Sequence, residues 1–413
     1  MDVVCCVVVL KVAIITIIIG RFGIDFVFVV WMCWLLDNMN MCYVLLNIML
    51  SPICNWISGF EYCVCNCLLI VEIVLCNVFV NYNLLVFYVL FELCLLLLYY
   101  VVMLESTSIY KIRASYYLFI FSCISSYCNC ILLMCFYIVI MLLLSRLLLS
   151  VCLLLSLSLI IKIPLWPFHD WLSIVHSESS TSISLILAGL ILKLGIYAIL
   201  RYVIPLLYMG LRYLCCLFLI LGILGIILVL SSLYLHLDYK IIIALYSVSH
   251  MNLTTASIFT LCYSGFLCGI ITSIAHGFSS ISLFLFVGFL INKTLIRFLD
   301  SLWWISSYLR IMLFLLFLSN ISFPGSINFI GEILAFLSLS YLDFFLTFFT
   351  LILSASLSTS LSFIAINRNI SYYSFHFHLQ SYEFIVLSSI LLLIFFNIHI
   401  SSFLLFLLSF LHN

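Results

Sequence analysis

The chain has 413 residues, of which 68% are hydrophobic and only 7% are charged, and its mean hydropathy is +1.43. A soluble domain of this length needs many more charges on its surface, so the composition excludes that class and predicts an integral membrane protein. Fourteen basic and fourteen acidic residues leave a net charge of zero, which gives no indication of a nucleic-acid partner.

Apolar runs long enough to span a bilayer recur from Val3 to Leu411 with only short polar breaks. They predict an all-α polytopic membrane protein with about 12 to 14 transmembrane helices. The first run contains Lys11 and lacks a basic leader and a cleavage site, so we interpret it as a retained span. Two or three spans are expected before Phe60.

The cysteines are numerous but carry no metal-site pattern. There are 19 of them, and none stands at C-x-x-C spacing. Cys63, Cys65 and Cys67 are the best candidates for a cluster, yet zinc and iron–sulfur sites favour wider, recurring spacings. We therefore expect free cysteines that act as small apolar residues, and no metal site.

Glu92 lies near the middle of the apolar run FYVLFELCLLLLYY. An unpaired, ionised carboxylate at that depth costs at least a few kcal/mol, so Glu92 should face the bundle and have a partner or a chain of waters. The alternative is a protonated glutamate that bonds a neighbouring backbone carbonyl. An earlier carboxylate, Glu72, also has apolar surroundings, and we assign it no role.

Lys162 ends a long apolar run and is followed by Pro164 and Pro167. Proline removes a backbone donor, so the helix must break there, and a break at membrane depth is tolerated only where protein or water satisfies the freed backbone groups. A buried lysine can carry a proton reversibly, which makes Lys162 a candidate relay. The alternative is a lysine that reaches the membrane surface.

The next apolar helix carries Lys193 about ten residues from one end, too deep for full access to the surface. His169 and His176 lie between the two lysines, with Asp170 and Glu178 close in sequence. These imidazoles could shuttle protons or could be ordinary polar residues at a helix junction.

The second half of the chain again places ionisable residues within or beside apolar helices. A polar hinge contains Asp238 and Lys240, and the two following helices carry one histidine each, His250 and His276. Single histidines do not form the recurring pairs that haem ligation needs.

A later apolar helix meets Pro324 and Gly325 and restarts with Glu332 just past the break. Two interrupted helices in corresponding places predict an inverted-repeat transporter. His376 and His378 are expected in a loop. The predicted divisions are N-terminal helices over 1–60, a first half-repeat over 61–205, a second over 206–368, and a loop and helix over 369–413.

Several motifs in order resemble the chain 4 family of NADH:ubiquinone oxidoreductase, the proton-pumping respiratory complex I. The motif FYVLFE resembles the family's glutamate-bearing helix and implies a role for Glu92. The run KIPLWPFHDWL, then HSES and LILKLGIY, resembles its paired-lysine region and implies Lys162 and Lys193 as proton carriers. His169, His176 and Glu178 match polar positions of that region.

In the second half, LDYK, SVSHM and IAHG resemble the next family helices. They imply His250 and His276 on a second half-path, with Asp238 and Lys240 near the boundary. The motif SFPGSINFIGE implies Glu332 as the terminal relay, a position where chains 2 and 5 of the complex usually have lysine.

The resemblance implies a proton-translocating subunit of the mitochondrial inner membrane that performs no redox chemistry itself. NADH, FMN, iron–sulfur clusters and ubiquinone would belong to other subunits, the neighbours would be the antiporter-like chains 2 and 5, and lipids would surround the helices. Two alternatives remain open: a subunit of a multi-chain cation/proton antiporter, and a structural membrane spacer whose buried charges form static pairs.

Overall fold

The computed structural model describes residues 29–30, 32–33, 38–57, 62–105, 108–142, 145–208, 212–294, 297, 307–340 and 381–396. Almost all of these residues are helical, which confirms the predicted all-α membrane class. The expected first span around Lys11 and the predicted loop with His376 and His378 lie outside the described residues.

One described segment differs from the expected N-terminal spans. Val29–Val30 (β1) and Met32–Cys33 (β2) pair antiparallel in a very short ribbon. The surrounding sequence, FVFVVWMC, is rich in valine and aromatic residues, which favour extended backbone over helix.

The helices of the first half follow one another with short connections. Their bounds are Asn38–Ile57 (α1), Tyr62–Val80 (α2), Leu84–Leu104 (α3), Ile109–Leu142 (α4), Ser145–Lys162 (α5) and Asp170–Glu178 (α6). The next helix, α7, is a series of five segments: α-helical Thr181–Ile186, Leu192–Ala198 and Ile204–Tyr208, separated by π-helical Leu187–Ile191 and Ile199–Val203.

The second half begins with Arg212–Ser232 (α8), a 3₁₀ turn at Leu233–Leu235, and Tyr239–Ile258 (α9). It continues with Tyr263–Thr294 (α10), Ser307–Asn320 (α11), Ile327–Ser340 (α12) and Ser381–Phe396 (α13). Among the described residues, six helices are long and apolar enough to cross a membrane, and four apolar helices are shorter.

Helix α7 lies at the centre of the bundle. Every residue from Ser182 to Leu200 is buried, whereas α3 and α8 leave large apolar side chains exposed. A helix that is apolar on all sides is stable only when protein surrounds it, so the outer helices, with apolar faces directed outward, are the ones that meet lipid.

Glycines allow the closest helix contacts. A Cβ built on Gly195 of α7 would lie 2.2 Å from Ile163 Cγ1, directly after the end of α5. A Cβ on Gly331 of α12 would lie 2.3 Å from Thr272 Cγ2 of α10. Small residues let membrane helices approach closely, and here they bring α7 against the first break and α12 against α10.

Candidate functional site

The first break, after Lys162, satisfies its backbone groups in a specific way. Ile160 would normally accept from the residue four positions later, but that residue is Pro164, which has no N–H. Leu165 N–H donates to the Ile160 carbonyl instead, at 3.2 Å. The next carbonyl, of Ile161, accepts from the indole Nε1 of Trp171 at 3.2 Å. Neighbouring protein therefore stabilises the break, as the sequence predicted.

Lys162 is paired inside the bundle. Its Nζ lies 2.6 Å from Oε1 of Glu92, and the exposed fractions of the two side chains are 4% and 19%. Lys162 therefore does not reach the membrane surface, and Glu92 bonds an ammonium rather than a backbone carbonyl. Both alternatives for these residues are wrong, because each side chain is directed at the other inside the bundle.

Lys193 is buried at the centre of α7, between the two π-helical segments. Its Nζ donates to the carbonyl of Ala188, which belongs to the first π-helical segment. A π-helical turn displaces the regular hydrogen-bond ladder, and such turns occur frequently at functional sites. No hydrogen bond or ion pair joins Lys193 to Lys162 in the part of the chain that the structure describes.

The second break repeats the hydrogen-bond scheme of the first. Phe323 N–H donates to the Leu318 carbonyl at 3.1 Å, again five residues back. The following carbonyl, of Ser319, accepts from the side-chain amide of Asn328 at 3.0 Å. Gly325 has a φ of 102°, a conformation that side chains with a Cβ rarely adopt.

This correspondence identifies a residue that the sequence did not reveal. Ile161 and Ser319 are equivalent in the two schemes, so the position equivalent to Lys162 is Asn320. Asn320 is buried and accepts a hydrogen bond from Ser279 at 3.1 Å. The first break therefore presents an ammonium and the second an uncharged amide.

A second cluster lies where α9, α10 and α12 meet. Nδ1 of His250 is 3.4 Å from Oε1 of Glu332, and the rings of His250 and His276 are 5.1 Å apart. The ring nitrogens of His276 make no hydrogen bond of standard geometry among the described residues, although the Asn320 side chain faces the ring. The structure thus brings together the three residues predicted for the second half-path.

Lys193 interacts electrostatically with the histidines of the second cluster. Its ammonium is within interaction range of His176, His250 and His276. The stem of Lys193 also passes Gly277, where a Cβ would meet Lys193 Cε at 3.5 Å. Lys193 is therefore close to the His250–Glu332 cluster, whereas the Glu92–Lys162 pair stands apart from it.

Two further predicted residues, Glu178 and Lys240, form a charged group with Arg297 at the ends of the helices. Glu178 pairs with Arg297 at 3.0 Å, and Arg297 also donates to the Ser177 carbonyl at 2.6 Å. Lys240 donates to the Ser179 carbonyl at 2.6 Å. The role of Arg297 was missed, because sequence placed it only in a charged loop.

The remaining predicted residues occupy three separate places. His176 is fully buried, its ring stacks on Phe284 at 4.6 Å, and neither nitrogen has a hydrogen-bond partner within the described part. His169 lies 3.4 Å from the exposed Asp170. Asp238 precedes α9 without capping it. Among the described residues, these three form no direct hydrogen bond with the Glu92–Lys162 pair or with the His250–Glu332 cluster.

The described residues contain no group of three or more histidine, cysteine or acidic side chains that could hold a metal ion. Cys63, Cys65 and Cys67 form no disulfide bond within the described part of the chain.

The sequence matches a known family over most of its length. The profile of the family described as NADH:quinone oxidoreductase/Mrp antiporter, transmembrane, matches residues 81–359. The chain belongs to this family. The match contains both breaks and every ionisable residue of the two clusters.

Curated members of this antiporter-like family include three chains named NADH-ubiquinone oxidoreductase chain 4. The protein is 32% identical to that of Acanthamoeba castellanii over 328 residues, covering 74% of this chain and 65% of the relative. It is 31% identical to that of Metridium senile, covering 73% and 65%, and 30% identical to that of Chondrus crispus, covering 76% and 68%. The matches to the first two relatives thus span less than two thirds of their length.

Solved structures share the family fold. A chain of respiratory complex I from Thermus thermophilus superposes with a TM-score of 0.78 at 23% identity, covering 91% of this chain and 84% of that one. A chain of the Mrp complex from Dietzia gives a TM-score of 0.73 at 17% identity, covering 89% and 74%. At these identities the likeness concerns the fold alone.

Proposed function

We propose that this chain is a proton-translocating membrane-arm subunit of an NADH:ubiquinone oxidoreductase, the respiratory complex I. The observation that carries the proposal is the Glu92–Lys162 ion pair, which lies inside the bundle at a broken helix. Intramembrane charges are costly, and they are retained where they move ions or protons. The names of the curated relatives favour this complex over other assemblies with the same fold.

The pair works as a proton switch. A carboxylate next to the ammonium favours the charged form of Lys162, and a shift that separates the two groups favours release of the proton. The break supplies the mobility, because the residues after Lys162 are held by a few side-chain and backbone hydrogen bonds rather than by a full helical ladder.

The released proton passes toward Lys193 and then to the His250–Glu332 cluster. Water completes the route, because the buried nitrogens of His176 need partners that the described protein does not supply. Glu332 is the last carrier and opens toward the other side of the membrane. Asp238, Lys240, Glu178 and His169 have secondary roles at the helix ends.

The redox chemistry belongs to other subunits, which bind NADH, FMN, iron–sulfur clusters and ubiquinone. The direct neighbours are the antiporter-like chains 2 and 5, and the assembly lies in the mitochondrial inner membrane. The two half-repeats cover 61–205 and 206–368, with separate terminal parts over 1–60 and 369–413. The shared hydrogen-bond scheme of the two breaks supports this division.

The test is a Lys193→Met substitution in the assembled complex. Methionine keeps the length and apolar stem of lysine but cannot carry a proton, so we expect assembly with proton pumping strongly reduced per NADH oxidised. Lys293→Met is the matched control, because Lys293 pairs with Glu383, 2.5 Å away, and neither residue belongs to the proposed proton path. An unchanged ratio of protons to electrons in Lys193→Met would refute the function and favour a structural spacer.

A subunit of a multi-chain cation/proton antiporter is the second candidate, since the matching profile includes Mrp antiporters. Sodium-dependent proton exchange in membranes without NADH would favour it. Co-purification of the chain with flavin and iron–sulfur subunits would decide against it.

A further inference from the structure

Two aromatic rings accompany the Glu92–Lys162 pair. The Nζ atom of Lys162 lies 4.0 Å from the ring centroid of Phe91 and 5.5 Å from that of Tyr88. Phe91 precedes Glu92 in the chain, and Tyr88 lies one turn earlier on the same face of α3. One helix face therefore presents a carboxylate and two rings to a single ammonium.

The rings are held in place by their own contacts. Phe91 is 1% exposed and meets Phe87 edge to face, with centroids 5.8 Å apart. The Tyr88 hydroxyl donates to the Ser126 carbonyl of α4 at 3.1 Å. Since neither ring has to reorganise to meet the cation, the attraction between ring and ammonium is available at all times.

The two kinds of partner respond differently to the proposed switch. The attraction of Glu92 disappears when the carboxylate is protonated or moves, whereas the negative face of a ring is permanent. The ring also discriminates between the two states of Lys162, because a neutral amine gains far less from it than an ammonium.

We propose that Phe91, assisted by Tyr88, is a positioning residue that retains the protonated Lys162 when it separates from Glu92. This inference rests on the proposed function and deepens it, since it identifies what holds the proton between loading and release. Without the ring, Lys162 would lose its proton as soon as the carboxylate contact weakens.

Other groups near Lys162 do not explain how its protonated side chain is retained. Besides Glu92 and Tyr88, the described titratable group that interacts with Lys162 is Cys94, also on α3. The neighbouring helices α4, α6 and α7 contribute the uncharged Ser122, Trp171 and Ile191. Of the two rings, Phe91 is the closer to the ammonium.

The test compares Phe91→Leu with Phe87→Leu in the assembled complex. Both substitutions remove a buried ring from α3. The ring of Phe87 packs against Phe91 but makes no cation–ring contact with Lys162 among the described residues, so Phe87→Leu controls for lost packing. The readout is the pH dependence of proton pumping normalised to NADH oxidation. For Phe91→Leu we expect the alkaline limit of pumping to fall by about 1.5 pH units, which is a roughly thirty-fold loss of proton occupancy and corresponds to about 2 kcal/mol for a desolvated cation–ring contact.

Phe91→Tyr retains the ring and should restore the original profile. Equal profiles for Phe91→Leu and Phe87→Leu would overturn the inference, as would an unshifted profile in Phe91→Leu. A Lys162→Met variant separates this result from the function itself. If Lys162→Met pumps normally, the proposed function fails, and if it does not pump while Phe91→Leu matches its control, only the role of Phe91 fails.

Discussion

Glu92→Gln tests the ion pair with the smallest possible change. Glutamine has the size of glutamate and still offers an oxygen to Lys162, whose Nζ now lies 2.6 Å from the carboxylate. The substitution removes only the negative charge. We expect a complex that assembles less well and pumps at least roughly tenfold less than the wild type, which corresponds to about 1.4 kcal/mol.

The size of the expected loss of pumping follows from the burial of Lys162, whose side chain is 4% exposed. Leaving one member of a buried ion pair without its partner costs about 3 to 5 kcal/mol. The lower end applies here, because the Glu92 side chain is 19% exposed and water reduces the penalty. Release of a proton from a lysine of ordinary pKa at pH 7 costs about 4.6 kcal/mol. The first cost offsets most of the second, so in Glu92→Gln the charged form of Lys162 is favoured much more weakly than in the wild type.

The assay measures acidification by inside-out membrane vesicles during NADH oxidation, with complex abundance read from native gels. Glu383→Gln is the control, since it breaks the other described buried lysine–glutamate pair, at 2.5 Å, away from both breaks. The double variant Glu92→Gln/Lys162→Met should assemble better than Glu92→Gln, because a neutral pair leaves no uncompensated charge. It should still not pump. Normal pumping in either variant would refute the reasoning.

Two further substitutions test the second cluster and the helix contact at the first break. Glu332→Gln keeps a hydrogen-bonding oxygen for His250 but cannot release a proton, so we expect assembly with reduced pumping per NADH oxidised; an unchanged ratio would exclude Glu332 as a carrier. Gly195→Ala places a Cβ 2.2 Å from Ile163 Cγ1 and should destabilise the complex by about 1 to 3 kcal/mol, measured as faster thermal loss of activity; wild-type thermal stability would show that the contact adjusts freely.

The prediction of function depended on rare residues in an apolar background. Glu92, Lys162, Lys193 and Glu332 could be selected because a charge within an apolar run has few structural explanations. The second break was recognisable from Pro324 for a similar reason. Arg297 and Asn320 could not be selected, because an arginine in a charged loop and an asparagine at a helix end are common when read in isolation.

The sequence by itself determined the membrane class, the positions of both breaks and the set of titratable residues, because hydropathy, proline and buried charge act through local composition. Only the tertiary structure decided which of those residues are partners. Glu92 and Lys162 are 70 positions apart, and His250 and Glu332 meet from separate helices. Their pairing depends on how α3 comes to lie beside α5 and how α9 packs against α12, and packing between distant segments leaves no pattern in a single apolar sequence.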